Sequence, residues 1–261
     1  MLELELTVKN KPLTIGYSAL AERVKNIIEP SISIGHDVFI SIQNPNGLEF
    51  ELPKGYEFRS VEANQVGVAK SRNVVLNTTE TEYLLFADDE IIFIDEGVKE
   101  VVAYLDSNPG CDMVLAQAID HRGALRKRYP RKKINLSKYN SAKAATYEMI
   151  VRVKSIKSRG VSFDEKFGAG VENYLGDEYI FISDLIDQGG KGVFLPVTIA
   201  IHPEESSGSQ WGSERDLQAR ARVFQRIFGK AAVFVRTAFY LKNFRKFQNP
   251  KNALKFISGN F

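Results

Sequence analysis

The sequence predicts an α/β protein, Rossmann-like in plan, with a mostly parallel central sheet flanked by helices and a helical extension at its C-terminal end. Three observations predict it. Apolar runs of strand length alternate with amphipathic segments of helix length, the pattern of strand–helix–strand units around a parallel sheet. One run, YLLFADDEIIF (83–93), is apolar on both sides of three adjacent acids, as a strand covered on both faces would be. From Arg215 to Phe261 there are eleven Lys or Arg against one acid, Asp216. The chain therefore divides into an α/β domain, 1–210, and a basic amphipathic extension, 211–261.

The elements follow in order. LELELTV (2–8) alternates with period two and reads as a half-exposed strand. Asn10, Lys11 and Pro12 supply a turn, and LTIGYS (13–18) is the next strand. ALAERVKNIIEP (19–30) reads as a helix, with Leu20, Val24 and Ile27 or Ile28 on one face and Pro30 as its stop. DVFISIQ (37–43) is apolar enough for a central strand and ends in the turn-rich NPNG. A short strand around Tyr56 to Val61 precedes a helix in GVAKSRNVVLNTT, marked by Val68, Arg72, Val75 and Leu76. After YLLFADDEIIF, Asp95 is placed to cap a helix through GVKEVVAYLDSN, which ends near Pro109. CDMVLAQAI (111–119) and YEMIVRV (147–153) read as strands, and VKSIKSRG as a short helix stopped by Gly160.

Hydrophobic and charged fractions of 44% and 26% are those of a soluble globular chain. The single cysteine, Cys111, excludes an internal disulfide framework and a cysteine-rich zinc cluster, in keeping with a reducing cytosol. No basic stretch followed by an apolar one opens the sequence, and no apolar run approaches the roughly 18 residues of a membrane span. The expected location is cytoplasmic. A net charge of +3 conceals a tail near +10 and a remainder near −7, a segregation that favours an anionic surface, lipid or nucleic acid. The loop HRGALRKRYPRKK (121–133) adds seven basic residues without an acid; it is either a solvated face or a contact for phosphate or anionic lipid.

Asp88, Asp89 and Glu90 are the chemically unusual feature. Unpaired buried charge is costly, so the three carboxylates belong where the strand leaves the sheet. Ligands of open α/β sheets collect there, and clustered carboxylate oxygens suit a hard divalent cation such as Mg or Mn. The plain alternative is a strand, an acidic turn and a second short strand.

Three stretches together resemble the family 2 glycosyltransferases of the GT-A fold. KSRNVVLNTTETEYLLFADDEI is similar to that family's Arg-Asn helix and its strand ending in a D-x-D metal motif, with Asp88 and Glu90 on the two acidic positions. VSFDEKFGAGVENYLGDEYIFISDLIDQGGKGVFLP is similar to the acceptor segment and to the Gly-acid-acid start of the following helix, here Gly176, Asp177 and Glu178. In VTIAIHPEESSG, His202 matches a histidine that reaches the metal or the diphosphate. The resemblance spans roughly residues 64–206. The nucleoside-gripping positions depart from the pattern, with Tyr17 and Ser18 at the first and Gln43, Asn44, Pro45 and Asn46 at the second.

The resemblance implies an inverting, metal-dependent transferase moving a sugar from a nucleotide donor, a UDP-sugar, to a glycan or lipid-linked acceptor in bacterial cell-surface polysaccharide or glycolipid synthesis. It implies Glu178, with Asp177, as the catalytic pair; Tyr17, Gln43, Asn44, Arg72, Asp88 and Asp89 around the donor; and Phe163, Asp164 and Glu165 on the acceptor side. Asp88, Glu90 and His202 would hold Mn or Mg, with Asp89 and Glu90 both open as the ligand that completes the site.

Between Arg222 and Phe239, a helical projection gathers Phe224, Ile227, Phe228, Ala231, Phe234, Val235, Ala238 and Phe239 on one arc and Arg222, Arg226, Lys230 and Arg236 on the other. That arc packs either on the domain or at the inner face of an anionic membrane, which residues 215–261 would then touch. Two rival functions remain at this level. A nucleotidyltransferase could share the sheet and the metal acids; a noncatalytic polyanion-binding protein would account for the basic segments but not the ordered acidic motifs. No zinc-finger, RNP or helix-turn-helix signature is present, so no nucleic-acid partner is expected.

Overall fold

A computed structural model describes residues 11–202, 212–247 and 249–261. The strand expected at 2–8 lies outside them. Among the described residues nine strands form one sheet in the order β3-β2-β1-β4-β8-β6-β9-β5, with β7 also on β9. They are β1 (Leu13–Leu20), β2 (His36–Gln43), β3 (Arg59–Ala63), β4 (Tyr83–Ala87), β5 (Ile92–Phe93), β6 (Met113–Ile119), β7 (Ile134–Asn135), β8 (Met149–Arg152) and β9 (Gly192–Ile201). β1 pairs in parallel with both β2 and β4, β2 with β3, and β6 with β9. β8 runs antiparallel between β4 and β6. The sheet is thus mixed and mostly parallel, as the alternation of elements predicts.

The strands are apolar all round because both faces are covered. On one face Ile15, Tyr17, Ile40 and Leu85 pack with Val98, Val101 and Leu105 of α2 (Asp95–Ser107). On the other, Phe86, Leu115 and Met149 meet Val75 and Leu76 of α1 (Val68–Thr78) and Phe181 and Leu185 of α4 (Asp177–Asp187). α1 lies close on β1 because residue 16 is glycine: a Cβ there would stand 2.1 Å from Val75. α3 (Val153–Ser158) follows β8 and ends at Gly160, in the left-handed region, as its sequence predicts.

Four local expectations are revised. The helix at 19–30 is a short 3₁₀ segment, Ala21–Asn26, since pairing with β2 keeps the chain extended to Leu20 and the residue before Pro30 disfavours helix. β3 starts at Arg59 and is an exposed edge strand. Residues 146–148 form a 3₁₀ turn before β8 begins at Met149. Asp95 opens α2 without capping it; Ile94 is the N-cap, and the Asp95 carboxylate instead accepts from Ser33 N and Oγ at 2.8 and 3.1 Å.

The basic tail folds as α5 (Glu214–Phe228), α6 (Ala232–Asn243) and α7 (Pro250–Ser258). Gly229, with φ 52°, divides the helix expected across 222–239. Leu217, Phe224 and Ile227 pack with Phe167, Tyr179 and Ile180, so the first half of the apolar arc packs on the domain. Arg236, expected on the outer face, is buried and donates to the carbonyls of Ile257 and Ser258, tying α6 to the end of α7. No helix among the described residues is long and apolar enough to cross a membrane.

Candidate active site

YLLFADDEIIF is a strand, a turn and a second strand. β4 ends at Ala87, the turn closes through Ile91 N donating to Asp88 O, and β5 joins the far edge of the sheet by pairing antiparallel with β9. The acids therefore mark the corner at which the chain leaves the sheet centre. Ile92 is paired with Ile201, which brings His202 opposite the end of the acidic turn.

The three acids have separate partners. Asp88 is about one-third exposed and accepts from Arg72 Nη2 through Oδ1, at 3.2 Å. Asp89 turns inward and pairs with Arg23 Nε at 2.6 Å, while Arg23 Nη2 reaches Glu90 Oε1 at 2.6 Å. Burial pushes the Asp89 carboxyl above its usual range, opposed by the Arg23 charge. Arg23 thus clamps two of the three acids to the 3₁₀ turn after β1, which places Asp89 as the inner anchor of the corner.

Arg72 joins the two acidic motifs. It projects from α1, is buried, and lies 5.7 Å from the centre of the Phe163 ring. Its Nη1 donates to Asp177 and, at 3.3 Å, to Glu178 Oε1, while Nη2 takes Asp88. Burial opposes its charge, but Asp177, Asp88 and Glu178 outweigh burial and hold the guanidinium proton more tightly than usual. Residues 88 and 177–178, distant in sequence, thereby become one site.

Gly176 makes the second motif possible. Its φ of 92° is left-handed, and a Cβ would come within 2.5 Å of Val223 on α5. Only glycine lets the chain turn into α4 beneath the tail. Asp177 and Glu178 then occupy the first turn, where the helix dipole favours ionised carboxylates. Their environments differ. Burial, reinforced by the neighbouring Glu178 charge, pushes the Asp177 carboxyl up to about 7. Glu178 is more open; burial disfavours its charge, but Arg72 and the Thr146 hydroxyl, which donates to Oε1 at 2.7 Å, together bring it below the usual range. Three carboxylates around one guanidinium leave two negative charges in excess, and a proton retained on the deeper Asp177 reduces the excess to one.

The remaining expected residues have contacts of their own, and none joins Tyr17, Gln43, Asn44 or Asp164 to Arg72 among the described residues. Tyr17 is buried beside Ala87 and its hydroxyl has no hydrogen-bond partner among the described residues. The Gln43 side-chain oxygen accepts from Gly67 N at 2.9 Å, holding the start of α1. Asn44 bonds Leu48 in both directions and donates to Glu62, so it fixes the loop after β2. Phe163 is core, stacked on Phe181 at 4.5 Å and edge-on to Phe86 at 5.2 Å; it floors Arg72. Asp164 pairs with Arg226 of α5 at 2.8 Å, and Glu165 accepts from Asn73 at 3.2 Å. The Tyr147 and His202 rings lie 4.8 Å apart.

Among the described residues, no three His, Cys, Asp or Glu side chains converge on a position that one ion could share. A hard cation can also take one or two protein ligands and complete its shell with substrate phosphate and water; Asp88 and His202 carry donor atoms of the kind such a cation takes. Glu90 is held by Arg23.

Arg23, Thr146 and Tyr147 belong to this centre and have no signature in sequence. Each acts through a contact across the fold, and only the short 3₁₀ turns that carry them set their direction.

No family profile matches the sequence, and no curated protein is similar to it in sequence. Solved structures do match. S. aureus TarS 1-349 in complex with UDP-GlcNAc superposes with a TM-score of 0.62 at 14% identity, covering 94% of this chain and 79% of that one. The same protein in complex with UDP gives 0.58 at 14% identity, over 94% and 80%. S. aureus TarS without that truncation gives 0.53 at 15% identity, and the match covers 95% of this chain but only 49% of that one. The shared feature is the fold, the GT-A arrangement that the sequence predicts.

Proposed function

We propose that this GT-A-fold chain is a glycosyltransferase that moves a sugar from a nucleoside diphosphate donor, a UDP-sugar, to an acceptor hydroxyl with inversion at the anomeric carbon. The observation that carries the reading is Arg72, which draws Asp88 at the end of β4 and the Asp177–Glu178 pair at the start of α4 into one centre. The likeness to TarS in complexes with UDP-GlcNAc and UDP supports the donor class.

Glu178 accepts the acceptor proton. Its carboxylate stays ionised below the usual range because Arg72 and Thr146 stabilise the charged form, so it is available as a base at neutral pH, a role that contributes about 10²- to 10⁴-fold. The acceptor oxygen forms its bond to the anomeric carbon as the bond to the diphosphate oxygen breaks, and the diphosphate departs with that electron pair. Asp177 positions Arg72 and Glu178 and retains its own proton near neutrality. Asp88 and His202 are the residues that would hold Mg or Mn, which when bound supplies Lewis-acid stabilisation of the leaving phosphate; Glu90 would join them only on exchanging Arg23. Tyr17, Gln43 and Asn44 stand at the carboxyl ends of β1 and β2, on the donor side in this reading, where Tyr17 supports from the core and Gln43 and Asn44 fix the adjoining loops. Asp164 and Glu165 border the acceptor side over the Phe163 floor.

The outer surface of the tail faces an anionic membrane in this reading. Phe234, Leu241 and Phe244 are 75%, 65% and 55% exposed, too much for a packed face. No acid occurs from residue 230 to 261, while Lys230, Lys242, Arg245 and Lys246 flank the stripe. A second copy of this basic surface would repel it, and anionic lipid complements it. Cosedimentation with phosphatidylglycerol vesicles at low salt should fall in an F234S/L241S variant; equal binding by both proteins contradicts this placement.

The activity is tested by incubating the chain with a panel of nucleotide sugars and Mg or Mn and identifying the product. Nucleoside diphosphate release is expected. Pyrophosphate release would instead identify a nucleotidyltransferase, and no turnover of any donor would remove the proposal.

A further inference from the structure

A groove of about 790 Å³ opens between the basic loop after β6 and the segment after β7. Its floor is apolar, formed by Leu115, Leu136, Phe194 and Pro196, and lies on the α4 face of the sheet. Its rim carries Lys127, Arg128, Arg131 and Lys143. The 3₁₀ turn Thr146–Glu148 separates groove and site: Thr146 donates to Glu178, and Glu148 lines the groove.

The wall is built rather than incidental. Glu148 is fully buried and accepts from Lys127 Nζ at 2.7 Å, from Tyr129 OH at 2.5 Å and from Ala145 N at 3.2 Å. The Tyr129 ring stacks on Phe194, and its hydroxyl also accepts from Ala118 N at 3.1 Å. Lys127 is thereby neutralised by Glu148 and tied to the Lys143 carbonyl. Arg128, Arg131 and Lys143 are exposed, and no ion pair engages any of them among the described residues. Three cations without an ion pair among the described residues, around a groove whose wall residue Glu148 is two positions from Thr146, the hydroxyl partner of Glu178, form a site for a chain that carries several negative charges and some carbon surface.

We infer that this groove binds the phosphate groups of the acceptor, so that the substrate class is a phosphate-bearing chain whose hydroxyl reaches Glu178 while its phosphates lie along Arg128, Arg131 and Lys143. Arginine forks and a lysine suit phosphate oxygens, and the floor takes the carbon backbone between them. This assignment rests on the transferase reading for the acceptor's role, but binding itself can be measured without turnover.

The test is calorimetric titration of the full chain with short inorganic polyphosphate, comparing wild type with R128A/R131A/K143A. All three side chains are exposed, and an unchanged melting temperature verifies folding. The variant should bind about tenfold or more weakly, and its salt dependence should lose about one unit of slope per cation removed. Phosphatidylglycerol vesicles form a second arm: loss of vesicle binding in the groove variant assigns the phosphate to a lipid headgroup, and loss confined to polyphosphate assigns it to a soluble chain. Unchanged affinity in both arms, or tighter groove-dependent binding of single-stranded RNA than of polyphosphate, overturns the inference. Groove-dependent binding without any nucleoside diphosphate release retains the site and removes the transferase; release with unaltered binding does the reverse.

Discussion

Replacing Arg72 with Met removes the charge that three carboxylates share while retaining much of the side chain's length. Asp177 and Glu178 would then stand beside each other without their guanidinium. Removing one partner of a buried ion pair costs about 3–5 kcal/mol, and for a domain of this size each kcal/mol corresponds to roughly 2–4 °C. The melting temperature at pH 8 should therefore fall by about 6–20 °C. The pH dependence identifies the cause. Arg72 lowers the Glu178 carboxyl and opposes the rise of Asp177, so without it both bind protons more readily in the native state. The loss should be smaller at pH 5, where those protons neutralise the orphaned acids. Thermal unfolding followed by circular dichroism at the two pH values measures this. An unchanged melting temperature at pH 8, or an equal loss at both, would refute Arg72 as the electrostatic centre of the site.

Thr146→Val removes a hydroxyl bond to an ionised carboxylate, worth about 1.5–3 kcal/mol; the acid limb of the kcat/KM profile should move to higher pH by about 1–2 units, and an unmoved limb would separate Thr146 from the base. Asp177 has the opposite linkage. Its native carboxyl titrates at about 7 and its unfolded one near the ordinary value of about 4, so between those values the native state holds the extra proton and stability falls as pH rises. Asp177→Asn should flatten that slope in denaturant titrations. Gly176→Ala combines left-handed backbone with a Cβ 2.5 Å from Val223; a loss of roughly 2–5 kcal/mol is expected, partly restored by Val223→Ala, and a silent substitution would mean that α4 and α5 are not tightly seated.

The sheet was legible in the sequence because buried parallel strands write themselves as continuous apolar runs: LTIGYS, DVFISIQ and YLLFA lie in strands, as does CDMVLAQAI from Met113 onward. The short elements were less so. ALAERVKNIIEP has the helical spacing of Leu20, Val24 and Ile27, yet β1 extends into it and only a 3₁₀ turn remains. Pairing with β2 across eight residues outweighs local periodicity there. In the tail, a projection at constant pitch carried the apolar arc through Gly229, which ends α5 and sends Phe234 outward. The site residues were visible one at a time, through carboxylates interrupting an apolar strand and a Gly-Asp-Glu helix start. Their connection was not. Arg72 stands on the Asp177–Glu178 pair, Arg23 fastens Asp89 and Glu90, and Thr146 supports Glu178, contacts that only the assembled sheet creates.

The most direct test of the central claim is single-turnover transfer with the donor and acceptor on which the wild-type chain acts, comparing Glu178→Gln with wild type while donor affinity is measured separately. A carboxylate that serves as base predicts a transfer rate about 10²- to 10⁴-fold lower with the donor dissociation constant nearly unchanged. Transfer at the wild-type rate by Glu178→Gln would contradict the assignment of this centre as the site of glycosyl transfer.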